Sequence, residues 1–310
     1  MASAIEVRGL VKRYASISAV DHIEFTVEAG AVYAFLGPNG AGKTTTTEIL
    51  EGLRRRTEGD VRVLGLDPWT EGIRLHRRIG VIPQDFRFFE KITPTEAIEY
   101  YGSLFGTRPN PTELLGKVDL LDKAHSRFDT LSGGQKQKLG LALALSDNPE
   151  VCFLDEPTTG LDPQARRSIW EVIRGLKRDG RTVFLTTHYL EEAEILADQV
   201  GIIHHGKIIA SGTPGEIIRA HGRAERLVFE AGPALADYLQ RTLGCPAEVR
   251  EGRVEVPLRS NREAAQILTA VDASGIPTNG FFTERDTLED VFVRLVGPMD
   301  EGALKAEATA

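Results

Sequence analysis

The chain has 310 residues, 41% hydrophobic and 26% charged, which is typical of a folded protein with room for a large domain and a smaller one. It carries 37 Lys and Arg against 45 Asp and Glu, and this net charge of -8 argues against general binding to nucleic acid. No apolar run reaches the ~20 residues of a membrane span, and the distant cysteines Cys152 and Cys245 favour a reducing compartment without disulfides.

Apolar strand-like segments alternate with helical patterns along the first two thirds of the chain, which predicts a three-layer α/β domain with a largely parallel sheet. The clearest strands are "AVYAFL", "RIGVIP", "VCFLDEP" and "TVFLTTH". Because parallel strands end at the same edge of a sheet, the polar residues that follow these segments are expected to share one site.

The first candidate site lies between the strand "AVYAFL" and a helical segment. It fits G-x-x-x-x-G-K-[ST], a loop whose backbone N–H groups and following helix N-terminus bind phosphate. Lys43 is expected to reach the β- and γ-phosphates and Thr44 to bind Mg²⁺. The motif predicts a nucleotide held by Gly37, Pro38, Asn39, Gly40, Ala41, Gly42, Lys43, Thr44 and Thr45.

The pattern becomes helical between Pro83 and Val151, which predicts an insertion in the α/β domain. The segment "TPTEAIEYYGSLFG" begins with a capping box, in which Thr93 is the N-cap and Glu96 the third helical residue. Aromatic residues fill 6 of the 20 positions 86–105, against 7% of the whole chain. This concentration predicts either the core of the insertion or a surface for a partner.

Two further strand ends carry groups suited to phosphate hydrolysis. Asp155 and Glu156 end the strand "VCFLDEP", and His188 ends "TVFLTTH". Asp155 is expected to hold Mg²⁺ and Glu156 to deprotonate the attacking water, with His188 contacting the γ-phosphate or that water. A lone Asp-Glu pair is more often a helix cap or a solvated strand end, but the neighbouring phosphate loop favours the catalytic interpretation.

The segment "LSGGQKQKLGLALAL", residues 131–145, is a second glycine-rich turn before a helix. With this segment the sequence closely resembles the ATP-binding cassette (ABC) ATPases, whose signature is LSGGQ followed by a basic helix. The resemblance covers about residues 1–222. It implies a P-loop NTPase core of the ABC type with an antiparallel N-terminal β subdomain and a helical subdomain at about residues 86–148.

The pattern after the cassette predicts a small α+β domain at residues 223–298 and a disordered tail at 299–310. Glu251 and Gly252 are expected to form a hairpin turn, and Asp286 and Glu289 a capping box before the last helix.

The resemblance also implies that two cassettes stack head to tail, with the signature of one closing over the γ-phosphate of the other. It assigns Tyr14 to adenine stacking, Gln84 to Mg²⁺ and the attacking water, and Asp162 to a loop that crosses the dimer interface. The signature residues concerned are Ser132, Gly133, Gly134 and Gln135. Taken singly, Tyr14 could be a half-buried strand residue, Gln84 a turn residue and Asp162 a helix cap.

The function implied is that of an ATP-hydrolysing subunit of a membrane ABC transporter with ATP and Mg²⁺ as cofactors. Expected partners are separate transmembrane permease subunits and a second copy of the chain, at the cytoplasmic face of the membrane, without nucleic acid or a covalent membrane anchor. Phe88 and Phe89 are predicted to contact the permease. The ending "TLEDVFVRLVG" resembles cassettes of exporters of drugs, antibiotics, lipids or polysaccharides. The alternative is a soluble ABC ATPase of DNA repair or translation.

Overall fold

The computed structural model describes residues 2–15, 17–84 and 86–297, and the chain divides into two compact units after Pro214. The second unit is Gly215–Leu295, so it begins before the boundary predicted after residue 222. The helix Pro214–His221 explains the difference, because Arg294 of the second unit donates a hydrogen bond to the His221 carbonyl. The predicted tail at residues 299–310 lies outside the described residues.

The first unit contains the following elements in chain order: β1 Ser3–Tyr14, β2 Ile17–Glu28, β3 Val32–Leu36, α1 Lys43–Leu50, β4 Glu58–Val63, α2 Gly72–His76, β5 Ile79–Ile82, α3 Pro94–Phe105, α4 Pro111–Lys117, α5 Gly133–Ala144, β6 Val151–Asp155, α6 Pro163–Arg178, β7 Thr182–Thr187, α7 Leu190–Leu196, β8 Gln199–His204 and β9 Lys207–Gly212. An antiparallel sheet of order β2-β1-β4 forms the N-terminal β subdomain, as the resemblance implies.

The central sheet has the order β5-β6-β7-β3-β8-β9, and its pairs are parallel except for β8 with β9. Strands β3 and β7 are buried at every position, which their apolar sequences predict for strands covered on both faces. Because β7 lies between β3 and β6, the loops that follow these three strands emerge side by side.

The helical insertion consists of α3, α4 and α5, which pack around a shared apolar core. Helix α3 begins with the predicted capping box: the Thr93 hydroxyl accepts from the Glu96 N–H, and the Glu96 carboxylate accepts from the Thr93 N–H at 2.9 Å. The insertion core includes Ile98, Leu115, Phe128, Leu139 and Leu143.

The second unit contains, in chain order, α8 Pro214–His221, β10 Arg226–Phe229, α9 Pro233–Leu243, β11 Glu248–Arg250, β12 Arg253–Pro257, α10 Asn261–Ser274, β13 Phe281–Glu284 and α11 Leu288–Val296. Its antiparallel sheet has the order β11-β12-β10-β13, and α9 and α10 contribute to the apolar core on that sheet. Glu251 and Gly252 form the hairpin turn, both with positive φ, as predicted.

The capping box of the last helix, α11, was assigned to the wrong residues by the sequence pattern. Thr287 and Asp290 form it: the Thr287 N–H donates to the Asp290 carboxylate at 2.7 Å, and the Asp290 N–H donates to the Thr287 hydroxyl at 3.2 Å. Asp286 instead accepts from the Arg223 N–H at 2.7 Å and from Arg294 at 2.6 Å. Its carboxylate is therefore engaged by distant residues and does not cap the helix.

Candidate active site

The phosphate loop connects β3 to α1, and its backbone is closely packed. Gly42 has a φ of 112°, and a Cβ atom at this position would lie 2.5 Å from the Ala19 carbonyl oxygen. Both the backbone conformation and the lack of space require glycine here. Helix α1 begins at the next residue, so its N-terminal N–H groups border the loop.

Lys43 is buried at the start of α1, with 7% of its surface exposed. Its ammonium donates to the carbonyl oxygen of Gly37 at 2.8 Å and to that of Pro38 at 3.3 Å. Burial lowers the pKa of Lys43, while the nearby charges of Glu156 and Asp155 oppose that shift. The loop thus carries a positive charge close to two carboxylates, an arrangement that suits a phosphate group and a cation together.

Asp155 lies at the end of β6, where it accepts a hydrogen bond from the Thr186 hydroxyl of β7. Burial raises the pKa of Asp155, with a further contribution from Glu156. A cation beside this carboxylate would favour its charged form. The hydroxyl of Thr44, the amide of Gln84 and the Asp155 carboxylate are oxygen ligands, so these residue types fit Mg²⁺.

The described residues contain no group of three or more His, Cys, Asp or Glu that could enclose a metal.

Glu156 and His188 form a pair, with 3.0 Å between His188 Nδ1 and the Glu156 carboxylate. The Thr159 hydroxyl donates to the same carboxylate oxygen at 3.1 Å. Glu156 has a φ of 46°, and its N–H donates to the Thr186 carbonyl at 3.0 Å. A strained backbone that is held in this way is typical of residues with a chemical role.

The charge of Glu156 is set by opposing effects. Burial raises the pKa of this carboxyl, but the contact with His188, the charge of Lys43 and the Thr159 hydrogen bond outweigh burial, so the pKa is lowered overall. Glu156 is therefore a carboxylate at neutral pH, which is the form that can accept a proton.

The signature turn and the loop at residues 160–163 are neighbours. Ser132 caps α5 and forms a capping box with Gln135, whose N–H donates to the Ser132 hydroxyl at 3.3 Å. A Cβ atom at Gly134 would lie 2.9 Å from the Ala165 side chain, so the signature turn packs closely on the first turn of α6. Asp162 caps α6 by accepting from the N–H groups of residues 164 and 165 at 2.9 Å.

The structure brings together Lys43, Asp155, Glu156 and His188 at the ends of the central strands. Tyr14 ends β1 with 38% of its surface exposed, its ring centroid 4.7 Å from the Lys12 ammonium. Gln84 is exposed just beyond β5. Within residues 2–15, 17–84 and 86–297, no hydrogen bond joins Tyr14, Gln84, Ser132 or Asp162 to the central four.

Sequence reasoning did not single out the threonines that hold the two carboxylates. Thr186 pairs in register with Asp155 across β6 and β7, and Thr159 lies three residues after Glu156. Thr186 stands in the segment "TTH", but its contact with Asp155 can be recognised only when the order of the strands is known.

Known proteins share these motifs with this chain. Residues 20–159 match the ABC transporter family. The daunorubicin resistance ATP-binding protein DrrA3 of Streptomyces coeruleorubidus is 36% identical over 304 residues, which cover 95% of this chain and 96% of that protein. This chain belongs to the ABC transporter family. The Nod factor export ATP-binding protein I of Ralstonia nicotianae is 37% identical to this ABC ATPase, over 94% of each chain.

Solved structures match the cassette part of this ABC ATPase. An ATP-binding subunit of an ABC transporter superposes with a TM-score of 0.63 at 29% identity, over 71% of this chain and 93% of that one. A dimeric ATP-binding cassette in a post-hydrolysis state, bound to ADP and Pi, has a TM-score of 0.60 at 26% identity, over 67% and 98%. The chain is thus an ATP-binding and ATP-hydrolysing ABC subunit of a transporter. The alternative of a DNA-repair or translation ATPase is not supported.

Glu51, at the end of α1, adds a pH dependence to the stability of this region. Burial, with smaller contributions from Asp155 and Glu48, raises the pKa of Glu51 from 4.5 to about 8. Between these two values the unfolded chain loses the proton that the folded chain keeps, so the unfolding free energy falls as the pH rises.

We expect Glu51→Gln to remove this loss. The wild type should lose on the order of a few kcal/mol of unfolding free energy between pH 5 and pH 8 through Glu51, and the variant should not show this loss. Urea unfolding at the two pH values measures the effect, with the exposed Glu24→Gln as control. An equal pH dependence in wild type and Glu51→Gln would contradict the prediction.

Proposed function

We propose that this ABC ATPase drives the export of drugs, antibiotics, lipids or polysaccharides through separate transmembrane permease subunits. The observation that carries the proposal is the similarity to a daunorubicin resistance protein and to a Nod factor export protein over at least 94% of this chain. That range includes the second unit, which lies beyond the family match at residues 20–159. Among the residues that the structure describes, no helix has both the length and the apolar character that a membrane span requires.

We infer that the phosphate loop holds the phosphates of ATP, with Lys43 on the β- and γ-phosphates and Tyr14 against adenine. Thr44, Gln84 and Asp155 would hold Mg²⁺, which when bound neutralises phosphate charge. Glu156 accepts the proton of the attacking water, and His188 orients Glu156. The support is the 3.0 Å contact of the pair and the lowered pKa of Glu156.

The complete site is proposed to need a second copy of the chain. Ser132 and its turn, with Gln135, would close over the γ-phosphate held by the partner, while the loop at Asp162 crosses the interface. Ser132 and Asp162 are both exposed, and their segments pack against each other through Gly134. The dimeric cassette bound to ADP and Pi is a structural relative at 26% identity.

Transport in inside-out membrane vesicles tests the export proposal. Vesicles that contain the chain with its co-encoded permease subunits are supplied with ATP and with daunorubicin as a fluorescent probe. We expect ATP-dependent accumulation with the wild type and none with Glu156→Gln. Equal accumulation in the two preparations, or recovery of the wild-type chain only in the soluble fraction of the lysed cells, would contradict the proposal.

The aromatic segment of the insertion supplies the proposed contact with the permease. Phe89 is 61% exposed and Leu104 62%, whereas Phe88 is partly buried and contributes to the insertion core. The two phenylalanine rings lie 5.3 Å apart in an edge-on arrangement. An exposed aromatic group beside a packed one suits the binding of a partner helix.

We expect Phe88→Ala with Phe89→Ala to weaken co-purification of the permease at least about tenfold, because two ring contacts are worth more than 1.4 kcal/mol. Phe89→Ala alone isolates the exposed ring from the packing of Phe88. Val249→Ala, at an exposed apolar residue of the second unit, is the control. Unchanged assembly and unchanged transport-coupled ATPase activity in the double variant would remove this surface from the proposal.

A further inference from the structure

Three large apolar side chains are exposed near α2 and the end of α1. Leu53 has 64% of its surface exposed, Trp69 47% and Ile73 82%, the highest value of any large apolar residue that the structure describes. Leu75, two residues after Ile73 on α2, is by contrast completely buried in the core of the first unit. Helix α2 therefore turns one apolar residue to the core and another to the outside, where it contributes little to packing.

The three exposed residues lie on segments that touch each other. A Cβ atom at the residue before Leu53 would lie 2.4 Å from the carbonyl oxygen of Pro68, the residue before Trp69. His76 Nε2, on α2, lies 2.8 Å from the carbonyl oxygen of Glu51 at the end of α1. The end of α1, the loop after β4 and α2 thus share one stretch of surface.

This stretch is basic, although the chain as a whole is acidic. Residues 53–77 contain six Arg against four Asp and Glu, a net charge of +2, whereas the whole chain carries -8. Arg55 and Arg77 are exposed, and among the described residues neither guanidinium is paired with a carboxylate. Arg77 follows Ile73 by four residues, so the two lie on the same side of α2. The α2 patch is defined as Leu53, Arg55, Trp69, Ile73 and Arg77.

The composition of the α2 patch fits the surface of an anionic bilayer. Apolar side chains and a tryptophan are favourable at the boundary between head groups and acyl chains. Guanidinium groups without a carboxylate partner are free to bind lipid phosphates in a bidentate manner. A partner helix would instead need a groove that encloses its apolar residues, whereas Ile73 projects from the surface.

We propose that the α2 patch binds the head groups of anionic phospholipids and holds the first unit against the bilayer surface. The inference goes beyond the export function, since this contact needs neither the permease nor nucleotide. A chain with a net charge of -8 is repelled by an anionic membrane unless a basic surface faces it. The patch therefore also determines which side of the first unit faces the membrane.

Flotation of the purified full chain with lipid vesicles tests the proposal in the absence of permease and nucleotide. We expect binding to vesicles of equal parts phosphatidylglycerol and phosphatidylcholine, and at least about tenfold weaker binding to phosphatidylcholine alone. Raising the salt from about 0.1 M to about 1 M should weaken the binding, because the Debye length falls from about 10 Å to about 3 Å. Equal binding to the two kinds of vesicle, or no binding to the anionic ones, would overturn the proposal.

Substitutions within the patch test its two components separately. Arg55→Gln with Arg77→Gln is expected to lower the partition onto anionic vesicles about 25-fold, since each cation near such a surface contributes about a factor of five. Ile73→Ser is expected to lower it about tenfold, because an apolar side chain no longer enters the boundary region. Wild-type partition in both variants would show that the patch is not the lipid-binding surface.

Matched controls make the same chemical changes elsewhere on the chain. Arg178→Gln with Arg241→Gln removes two exposed positive charges from α6 and α9, and Val249→Ser removes an exposed apolar side chain from β11. Both controls are expected to keep the wild-type partition within about twofold, because charge attraction to the bilayer is short-ranged. An equal loss in the arginine control would show an effect of net charge alone and contradict the patch.

The two tryptophans report which surface touches the lipid. Trp170 is 6% exposed, and its Nε1 donates to the carboxylate of Glu192 at 2.9 Å in a buried polar cluster between α6 and α7. Trp69 is half-exposed and changes its surroundings when the patch meets the bilayer. We expect its emission to shift to shorter wavelength and to be quenched by phosphatidylcholine brominated on the acyl chain. Both signals should vanish in Trp69→Phe while flotation persists.

No emission shift in the vesicle-bound wild type, or the same shift in Trp69→Phe, would overturn the assignment to this patch. A contact with the permease is the competing interpretation. If the wild type does not bind anionic vesicles, while Ile73→Ser weakens co-purification of the permease at least about tenfold, the patch is a protein contact and the lipid proposal is wrong.

ATP hydrolysis by the isolated chain checks that the variants are folded. We expect near wild-type rates in each patch variant, because none of these residues belongs to the proposed catalytic site. The lipid contact and the export function fail separately: loss of vesicle binding with intact transport contradicts only the lipid contact, whereas absent transport with intact vesicle binding contradicts only the export proposal.

Discussion

Glu156→Gln is expected to bind ATP normally and to hydrolyse it at least about a hundredfold more slowly than the wild type. Glutamine has nearly the same shape as glutamate but cannot take up a proton, and general bases contribute about 10²–10⁴ to the rate. The substitution leaves Lys43 and the phosphate loop intact. The loss should therefore appear in kcat, while the apparent affinity for ATP stays close to that of the wild type.

The same variant is expected to accumulate as an ATP-bound dimer, because in the proposed shared site the two copies separate only after hydrolysis. Size-exclusion chromatography with ATP measures this species, and the wild type under the same conditions is the control. Near-normal turnover in the variant would remove Glu156 from the role of base. A strictly monomeric variant at saturating ATP, with Ser132 of one copy never near Lys43 of another in cross-linking, would contradict the shared site.

Lys43→Ala is expected to lower the affinity for ATP at least about a hundredfold. The ammonium is the buried positive charge of the loop, and hydrogen bonds between charged groups are worth about 1.5–3 kcal/mol each. Without it, Asp155 and Glu156 lose a charge that favours their ionised forms, and ATP meets unbalanced negative charge.

Titration with a fluorescent ATP analogue measures the affinity of Lys43→Ala, and circular dichroism checks that the fold is retained. Lys117→Ala is the control, since that side chain is partly exposed and paired with Glu113 on the surface of α4. ATP binding within about threefold of the wild type would show that Lys43 is not the phosphate-binding group.

The parts of the fold that follow from local sequence patterns could be predicted. The capping box at Thr93, the hairpin at Glu251 and the buried strands β3 and β7 each depend on residues close together in the chain. The motifs at Gly37–Thr44 and at residues 131–145 are equally local. Their resemblance to a known family supplied the arrangement of the N-terminal sheet, which the pattern alone does not give.

The features that the sequence did not reveal depend on contacts between distant segments. Nothing near Asp286 indicates that Arg223 and Arg294 engage its carboxylate, and so the last capping box was misassigned. The polar cluster around Glu192 likewise needs α6 and α7 to pack side by side before Trp170 can reach it. Such contacts become visible only when the strand order and the helix packing are known.

Strand β7 follows β3 and β6 in the chain, but in the sheet it lies between them. During synthesis on the ribosome, β3 and β6 emerge before β7, the strand that pairs with both of them. The lysine of the loop and the carboxylates of β6 therefore reach their final places only when residue 187 has left the exit tunnel. A nascent chain that ends before His188 lacks one member of the proposed catalytic pair, so it cannot form the complete site.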